Sequence, residues 1–460
     1  MPVAACFEWR CRGQAAIGLL IQGLSFAERS LFADYDAESK EIMKKFAVLG
    51  YGTVGSGVVE LFYKNRAKIE QKAGEPMDVG YILDLRDFPD SPYSEKFTKT
   101  IDTILADPEV AVVAECMGGV EPAYTYLMQC LSKGISVATS NKELIAQKGA
   151  ALLAEAKAHS CNCFFEASVG GAIPIIRPLH RCLAANDISA VYGILNGTTN
   201  FILEKMLAED MDFESALSLA QELGYAERDP GADVDGHDAC RKICIISSLV
   251  FGKHVYPDSV STKGIRNISL ADAEAADALD GAVKLIASVQ RLEDGRILPM
   301  VQPMFVPHDN LLSRIDGVFN AVMVCGDGFD KAVFSGRGAG KLPTASAVLG
   351  DVIEAAKHSR TVFSQNWAES ETQDFVADAD ALCCGMMIRT ENRDAECLAE
   401  LVDAYCDAKG LDGFIEAAAL KDGAACYTGM LNAQQREELL AALALADCKV
   451  INWMPVLTVA

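Results

Sequence analysis

The residues with the most chemistry per unit length lie in Gly224–Lys242, GYAERDPGADVDGHDACRK. Glu227, Asp229, Asp233, Asp235 and Asp238 are followed there by the adjacent cations Arg241 and Lys242. Pro230, Gly231 and Gly236 interrupt the first part, so Glu227–Gly236 is expected as a loop. From His237 the text becomes HDACRKICIISSLVFG, apolar enough for a buried helix. On that helix Asp238 and Lys242 share one face, one turn apart. An acidic loop running into a helix that carries a lysine suits a small substrate with an ammonium group and a reacting oxygen. Taken alone, the stretch reads equally well as a solvated acidic loop with one helix ion pair. A nucleotide pattern upstream separates the two.

That pattern begins with the apolar run KFAVL (45–49), then Gly50-Tyr51-Gly52-Thr53-Val54-Gly55, then the helical SGVVELFYKN. Between a strand and a helix each glycine has a task. Gly50 makes the turn, Gly52 lets the backbone approach a pyrophosphate, and Gly55 lets helix and strand pack closely. The pyrophosphate then sits on the helix N-terminus. A second strand, 79–85, leads to Asp84 and Arg86: the acid suits a free ribose 2′-hydroxyl, the arginine a 2′-phosphate, so NAD and NADP both stay open. AVVAECMGG (111–119) is a buried strand ending in a glycine turn. ISVATSNKELI (135–145) is expected as a strand with Ser140, Asn141 and Lys142 at its carboxyl end, the edge where doubly wound sheets bind ligands. SGRGAGKLPTASAVLGDVIEAAKHS (335–359) is a second glycine turn before a helix, a return to the nucleotide. The expected dinucleotide contacts are Gly50, Gly52, Thr53, Val54 and Gly55 in the turn, Arg86, Met117, Ser140 and Lys142 at strand ends, and Gly340 in the return turn.

The elements that must position these groups imply an α/β protein of several domains. At 460 residues the prior is two to four domains. A Rossmann dinucleotide-binding domain is expected over 43–170, with the return segment 335–359. A substrate-binding, catalytic and dimerisation domain of α+β type with a mixed sheet should span 171–334. Its strands include 188–195, ILPMVQPMFV and GVFNAVMVCG, and its helices 213–223 and 270–291. A polar stretch, 360–380, reads as a linker, and 381–460 as a small βαββαβ module. Residues 1–42 match none of this and are expected to be an appendage or an early start, with Met43 opening the first strand. Residues 10–27 imitate a signal peptide. Sixteen cysteines scattered through apolar segments, with no CxxC pair, fit reduced thiols in a cytoplasmic enzyme better than an exported one. The net charge of −23 argues against nucleic acid and anionic membrane surfaces as partners.

LGYAERDPGADVDGHDACRK, NGTTNFIL, EASVGGAIPI, SNKELI and GRGAGKLPTA together resemble homoserine dehydrogenases over about Met43–Ser359. The resemblance implies NAD(P)H-dependent reduction of L-aspartate 4-semialdehyde to L-homoserine, with Lys242 as proton donor and Lys142 near the nicotinamide and substrate. It places Glu227 and Asp233 on the substrate's amino acid end and Asp238 beside the reacting oxygen, with Gly224 and Glu227 bordering the nicotinamide. Backbone N–H groups near Gly197 and Thr198 are expected to take the substrate carboxylate. It also implies a sodium ion held by the carbonyls of Glu166, Val169, Gly171 and Ile173. A homodimer or higher homo-oligomer is the family expectation. The tail is similar to an ACT domain in element order, with threonine as the expected effector. The alternatives are a non-catalytic sensor of dinucleotide and amino acid, and a Rossmann dehydrogenase for another amino-acid aldehyde.

Overall fold

The computed structural model describes residues 43–458, apart from 359, 360, 364–366 and 412. The expected appendage, 1–42, and part of the expected linker lie outside the described residues. Strand β1 (Lys44–Leu49) enters a glycine turn and then helix α1 (Thr53–Ala73). There follow β2 (Met77–Leu83), β3 (Phe97–Thr98), α2 (Ile101–Leu105), β4 (Val110–Glu115), α3 (Ala123–Ser132), β5 (Ser136–Thr139), α4 (Lys142–Ala158) and β6 (Cys163–Phe164). The six strands form a parallel sheet in the order β3-β2-β1-β4-β5-β6, which reverses direction between β1 and β4. Phe46 and Val48 of β1 pack with Val58 and Phe62 of α1, whereas Ala47 and Leu49 pack with Ala123, Leu127 and Leu144 on the other face. Both faces are covered, which is why these strands read as unbroken apolar runs. The strand expected over 135–145 ends at Thr139, because Asn141 accepts a hydrogen bond from the Leu144 N–H and caps α4. Lys142 therefore opens a helix instead of closing a strand.

The second sheet is built from β7 (Ile188–Ile194), β8 (Ser261–Thr262), β9 (Gly281–Arg291), β10 (Ile297–Pro307), β11 (Phe319–Gly326) and β12 (Asp330–Arg337). Its order is β12-β11-β7-β9-β10-β8, antiparallel except where β8 meets β10. Helices α5 (Gly197–Ala208), α6 (Phe213–Glu222), α7 (Gly231–Val234), α8 (His237–Phe251) and α9 (Leu270–Ala278) accompany it. Two expectations are corrected. The helix expected over 270–291 stops at Ala278, and Gly281–Arg291 is a central strand. Asp280 adopts a positive φ of 52°, and a Cβ on Gly281 would lie 2.2 Å from the Phe305 ring, so the chain turns there to pair with β10. The acidic loop also contains one helical turn, α7, because the Pro230 carbonyl accepts from the N–H groups of Asp233 and Val234.

Helix α10 (Lys341–Lys357) returns to the first sheet and packs against α1, β4 and β5. The last elements are β13 (Met386–Thr390), α11 (Ala395–Lys409), β14 (Phe414–Leu420), β15 (Gly423–Thr428), α12 (Ala433–Leu445) and β16 (Val450–Pro455). Their antiparallel order, β14-β15-β13-β16, is a split βαββαβ arrangement. Arg389 of β13 donates from Nε to Asp272 of α9 at 2.7 Å, and Val456 bridges to Phe305 of β10. No helix among the described residues is long and apolar enough to cross a membrane.

Candidate active site

Two helices meet where the parallel and mixed sheets join. Helix α8 starts from Gly236 at φ +84°, which puts Asp238 in its first turn and Lys242 in its second. Helix α4, with Lys142 at its N-terminus, packs against α8. Asn141 fixes that N-terminus by donating from Nδ2 to the Gly119 carbonyl at 2.6 Å. The three side chains converge on one carboxylate. Asp238 Oδ1 accepts from Lys142 Nζ at 2.7 Å, and Oδ2 accepts from Lys242 Nζ at 2.7 Å and Asn196 Nδ2 at 3.0 Å. Lys242 also donates to the Leu195 carbonyl at 2.6 Å, and Asn196 Nδ2 donates to Asp233 Oδ1 at 2.7 Å.

Burial makes the electrostatics decisive here. Asp238 is 5% exposed and Lys242 6%. Burial pushes the Asp238 carboxyl up, but the two ammonium groups outweigh it and hold the acid well below the usual carboxylate range. Burial pushes Lys242 below its ordinary value, against the pull of Asp238 and with the help of the second ammonium on Lys142. Asp238 raises Lys142, which is partly open to solvent and stays an ammonium. Burial, and then the neighbouring Asp238, raise Asp233. One lysine is thus a firm cation and the other a more loosely held ammonium.

Around this knot lies a cleft of about 540 Å³. Thr53, Val54, Ser140 and Lys142 line it from the parallel sheet, Val169 and Gly340 from the connecting turns. Thr198, Gly224, Glu227, Asp233, Asp238 and Lys242 line the side of the mixed sheet. Gly50, Gly52, Gly55, Arg86, Met117, Glu166, Gly171 and Ile173 stand outside this wall. Met117 backs onto Gly50, where a Cβ would meet its side chain at 2.9 Å, and its N–H donates to the buried Glu115 carboxylate. The wall also holds Asn196, Tyr225, Asn320 and Arg337, which sequence reasoning missed as site residues. For Asn196 a signal was present, because asparagine before a glycine and a helix is a cap.

The glycine turn has room for a dinucleotide. A Cβ on Gly55 would lie 1.8 Å from the Gly50 carbonyl oxygen, so helix and turn touch there. At Gly52 a Cβ would meet nothing within 4 Å, leaving open space over the N-terminus of α1. Among the described residues that helix has no side-chain cap and no acid in its first turn, so its first N–H groups suit a phosphate. Asp84 accepts from the Tyr51 N–H at 2.8 Å and is gripped by Arg86, whose N–H, Nε and terminal nitrogen all lie within 3.0 Å of it. That arginine, together with the two backbone donors, holds Asp84 well below the usual carboxylate range despite partial burial.

Comparison with known proteins agrees with this geometry. A profile described as homoserine dehydrogenase matches residues 174–353, and one described as homoserine dehydrogenase, NAD binding domain, matches residues 50–166. Homoserine dehydrogenase of a Synechocystis strain is 44% identical over 314 residues, covering 67% of this chain and 72% of its own. That of Lactococcus lactis is 39% identical over 320 residues, 68% of this chain and 74% of its own. The crystal structure of a homoserine dehydrogenase from Thiobacillus denitrificans superposes with a TM-score of 0.79 at 30% identity, covering 90% of this chain and 98% of that one. A hyperthermophilic archaeal homoserine dehydrogenase in complex with NADPH gives 0.58 at 27% identity, covering 68% and 97%.

A strand–glycine turn–helix site facing a carboxylate that holds two lysines defines an oxidoreductase that uses NAD or NADP. More narrowly, the chain belongs to the homoserine dehydrogenase family.

Proposed function

We propose that this cleft reduces L-aspartate 4-semialdehyde to L-homoserine, with Lys242 as the proton donor. The observation that carries the reading is the single carboxylate of Asp238 shared by Lys142 and Lys242 inside the cleft. An ammonium has three hydrogens, and Lys242 places two on Asp238 and the Leu195 carbonyl. The third is left for a substrate oxygen. Burial loosens that proton, which suits general acid catalysis. Lys142, kept charged by Asp238, orients the carbonyl end and meets the cofactor. Glu227 and Asp233 receive the substrate ammonium, and Gly197 and Thr198, at the start of α5, offer N–H groups to its carboxylate.

The turn Gly50–Gly55, with Ser140 and Gly340, would hold the dinucleotide, with Asp84 and Arg86 at its ribose. The bound nicotinamide supplies the hydride to the aldehyde carbon. A sodium ion is proposed in the loop after Glu166. The buried carbonyls of Val169, Gly171 and Ile173 accept no hydrogen bond among the described residues, which suits a hard cation. The Glu166 side chain meanwhile fixes the loop by accepting from the N–H groups of Ile175, Ile176 and Arg177.

The tail is proposed to take threonine as an inhibitor, supported by its βαββαβ fold and its contacts with α9 and β10. Threonine should inhibit the full chain and not one lacking residues 381–460; equal inhibition of both would move the effector site elsewhere. A cytoplasmic homodimer or larger homo-oligomer completes the proposal, and the fourteen described cysteines, which form no disulfide among the described residues, fit that compartment. The decisive assay is oxidation of NADH or NADPH on adding aspartate semialdehyde. Absence of turnover with both cofactors would overturn the reading.

A further inference from the structure

Asn196 lies two residues beyond β7 and caps α5, its Oδ1 accepting from the Thr199 N–H at 2.8 Å. Its amide nitrogen serves two acids at once. Nδ2 lies 2.7 Å from Asp233 Oδ1 and 3.0 Å from Asp238 Oδ2. A primary amide has two hydrogens, so both are spent. The residue before it adds a further tie, because the Leu195 carbonyl accepts from Lys242 Nζ at 2.6 Å. Leu195 and Asn196 are 1% and 5% exposed. One buried dipeptide therefore holds the Asp238–Lys242 pair, the acid Asp233 and the N-terminus of α5 in fixed relation.

The amide solves a charge problem. Asp233 and Asp238 share one donor nitrogen, and two carboxylates sharing a buried site resist ionising together. Asp238 is kept ionised by Lys142 of α4 and Lys242 of its own helix. Asp233 has no such pair: among the described residues the Asn196 amide is the only side chain that donates to it. Burial and the charge of Asp238 raise Asp233, and the Asn196 amide opposes them ahead of Lys242 and Lys142. A neutral donor between two acids steadies both without adding charge.

We propose that Asn196 is a positioning residue for the reduction, whose amide holds the Asp233 carboxylate ready for the substrate ammonium and fixes Asp238 against Lys242. The proposal rests on the reading of the cleft given above. Asn196 acts through these two acids, not on the substrate itself.

The test compares Asn196→Ser, Asn196→Asp and Asn196→Ala in the full chain. Serine and aspartate keep an oxygen for the Thr199 N–H and so keep the cap, but neither can donate to two acids; alanine loses cap and bridge together. Loss of hydrogen bonds to charged groups predicts kcat/KM for aspartate semialdehyde about 10- to 100-fold lower in the serine variant, and at least as low in the aspartate variant. The KM for NAD(P)H should stay constant. A cap alone would not govern the pH profile. Without the amide Asp233 rises further, so the acid-side fall of kcat/KM should move to higher pH in the serine variant. Serine and aspartate variants with parent kcat/KM, beside an impaired alanine variant, would reduce Asn196 to a cap and overturn the proposal. An acid limb that stays in place would overturn it as well, as would a raised KM for NAD(P)H in the serine variant. A parent protein that turns over no aspartate semialdehyde would instead overturn the reading of the cleft, and this role with it.

Discussion

Asp238→Asn removes one charge from the centre of the site and leaves its shape. In the parent, that carboxylate sits 2.7 Å from each of two ammonium nitrogens. Unit charges roughly 4 Å apart interact by about 4 kcal/mol at an effective dielectric of about 20. Losing this attraction leaves Lys142 and Lys242 as neighbouring cations, and the buried one, already pushed down by burial, gives up its proton. A lysine without its proton is no acid, so kcat for the reduction near neutral pH should fall by about 10²–10⁴-fold. Stability should fall as well. At neutral pH the unfolded variant binds one more proton than the folded one, so its stability rises with pH toward the ordinary lysine range. The assays are kcat from NAD(P)H oxidation and urea unfolding at several pH values. A variant with parent kcat, or with a stability deficit that grows with pH, would refute this account of the charges.

Two further outcomes follow from the same structure. Because burial lowers Lys242 below its ordinary value, the reduction should lose rate as pH rises through that lowered range, while homoserine oxidation, which needs the neutral amine, should gain rate there; parallel pH profiles in the two directions would contradict the assignment. Trp367 is 4% exposed, donates to His254 Nδ1 at 2.8 Å and fills a notch at Gly149, where a Cβ would lie 2.5 Å from the ring; Trp367→Ala should cost about 3–5 kcal/mol in denaturant unfolding.

The parts of this protein that follow from local pattern were legible in the sequence. The strand, the three glycines and α1 are one continuous stretch, and Asp238 and Lys242 lie on a single helix, so spacing alone puts them on one face. The tail's six elements also read correctly in order. What failed depends on contacts between distant segments. Gly281–Arg291 follows a helix with only Leu279 and Asp280 between, and its identity as a strand comes from pairing with β10, which the text of 270–291 does not contain. Lys142 was placed by a cap, a matter of one asparagine. Asn320, in the cleft wall, carries no signal in its own neighbourhood, because the glycines packed against it, Gly197 and Gly338, come from elsewhere in the chain.

Whether Lys242 delivers the proton is read from kcat of Lys242→Met at saturating aspartate semialdehyde, with Lys142→Met measured alongside. Methionine keeps most of the side-chain volume and removes the proton. Lys242→Met should lower kcat about 10²–10⁴-fold and leave dinucleotide affinity unchanged, because the glycine turn is untouched. A Lys242→Met enzyme with near-normal kcat, beside a Lys142→Met enzyme that has lost it, would contradict the claim and transfer the role to Lys142.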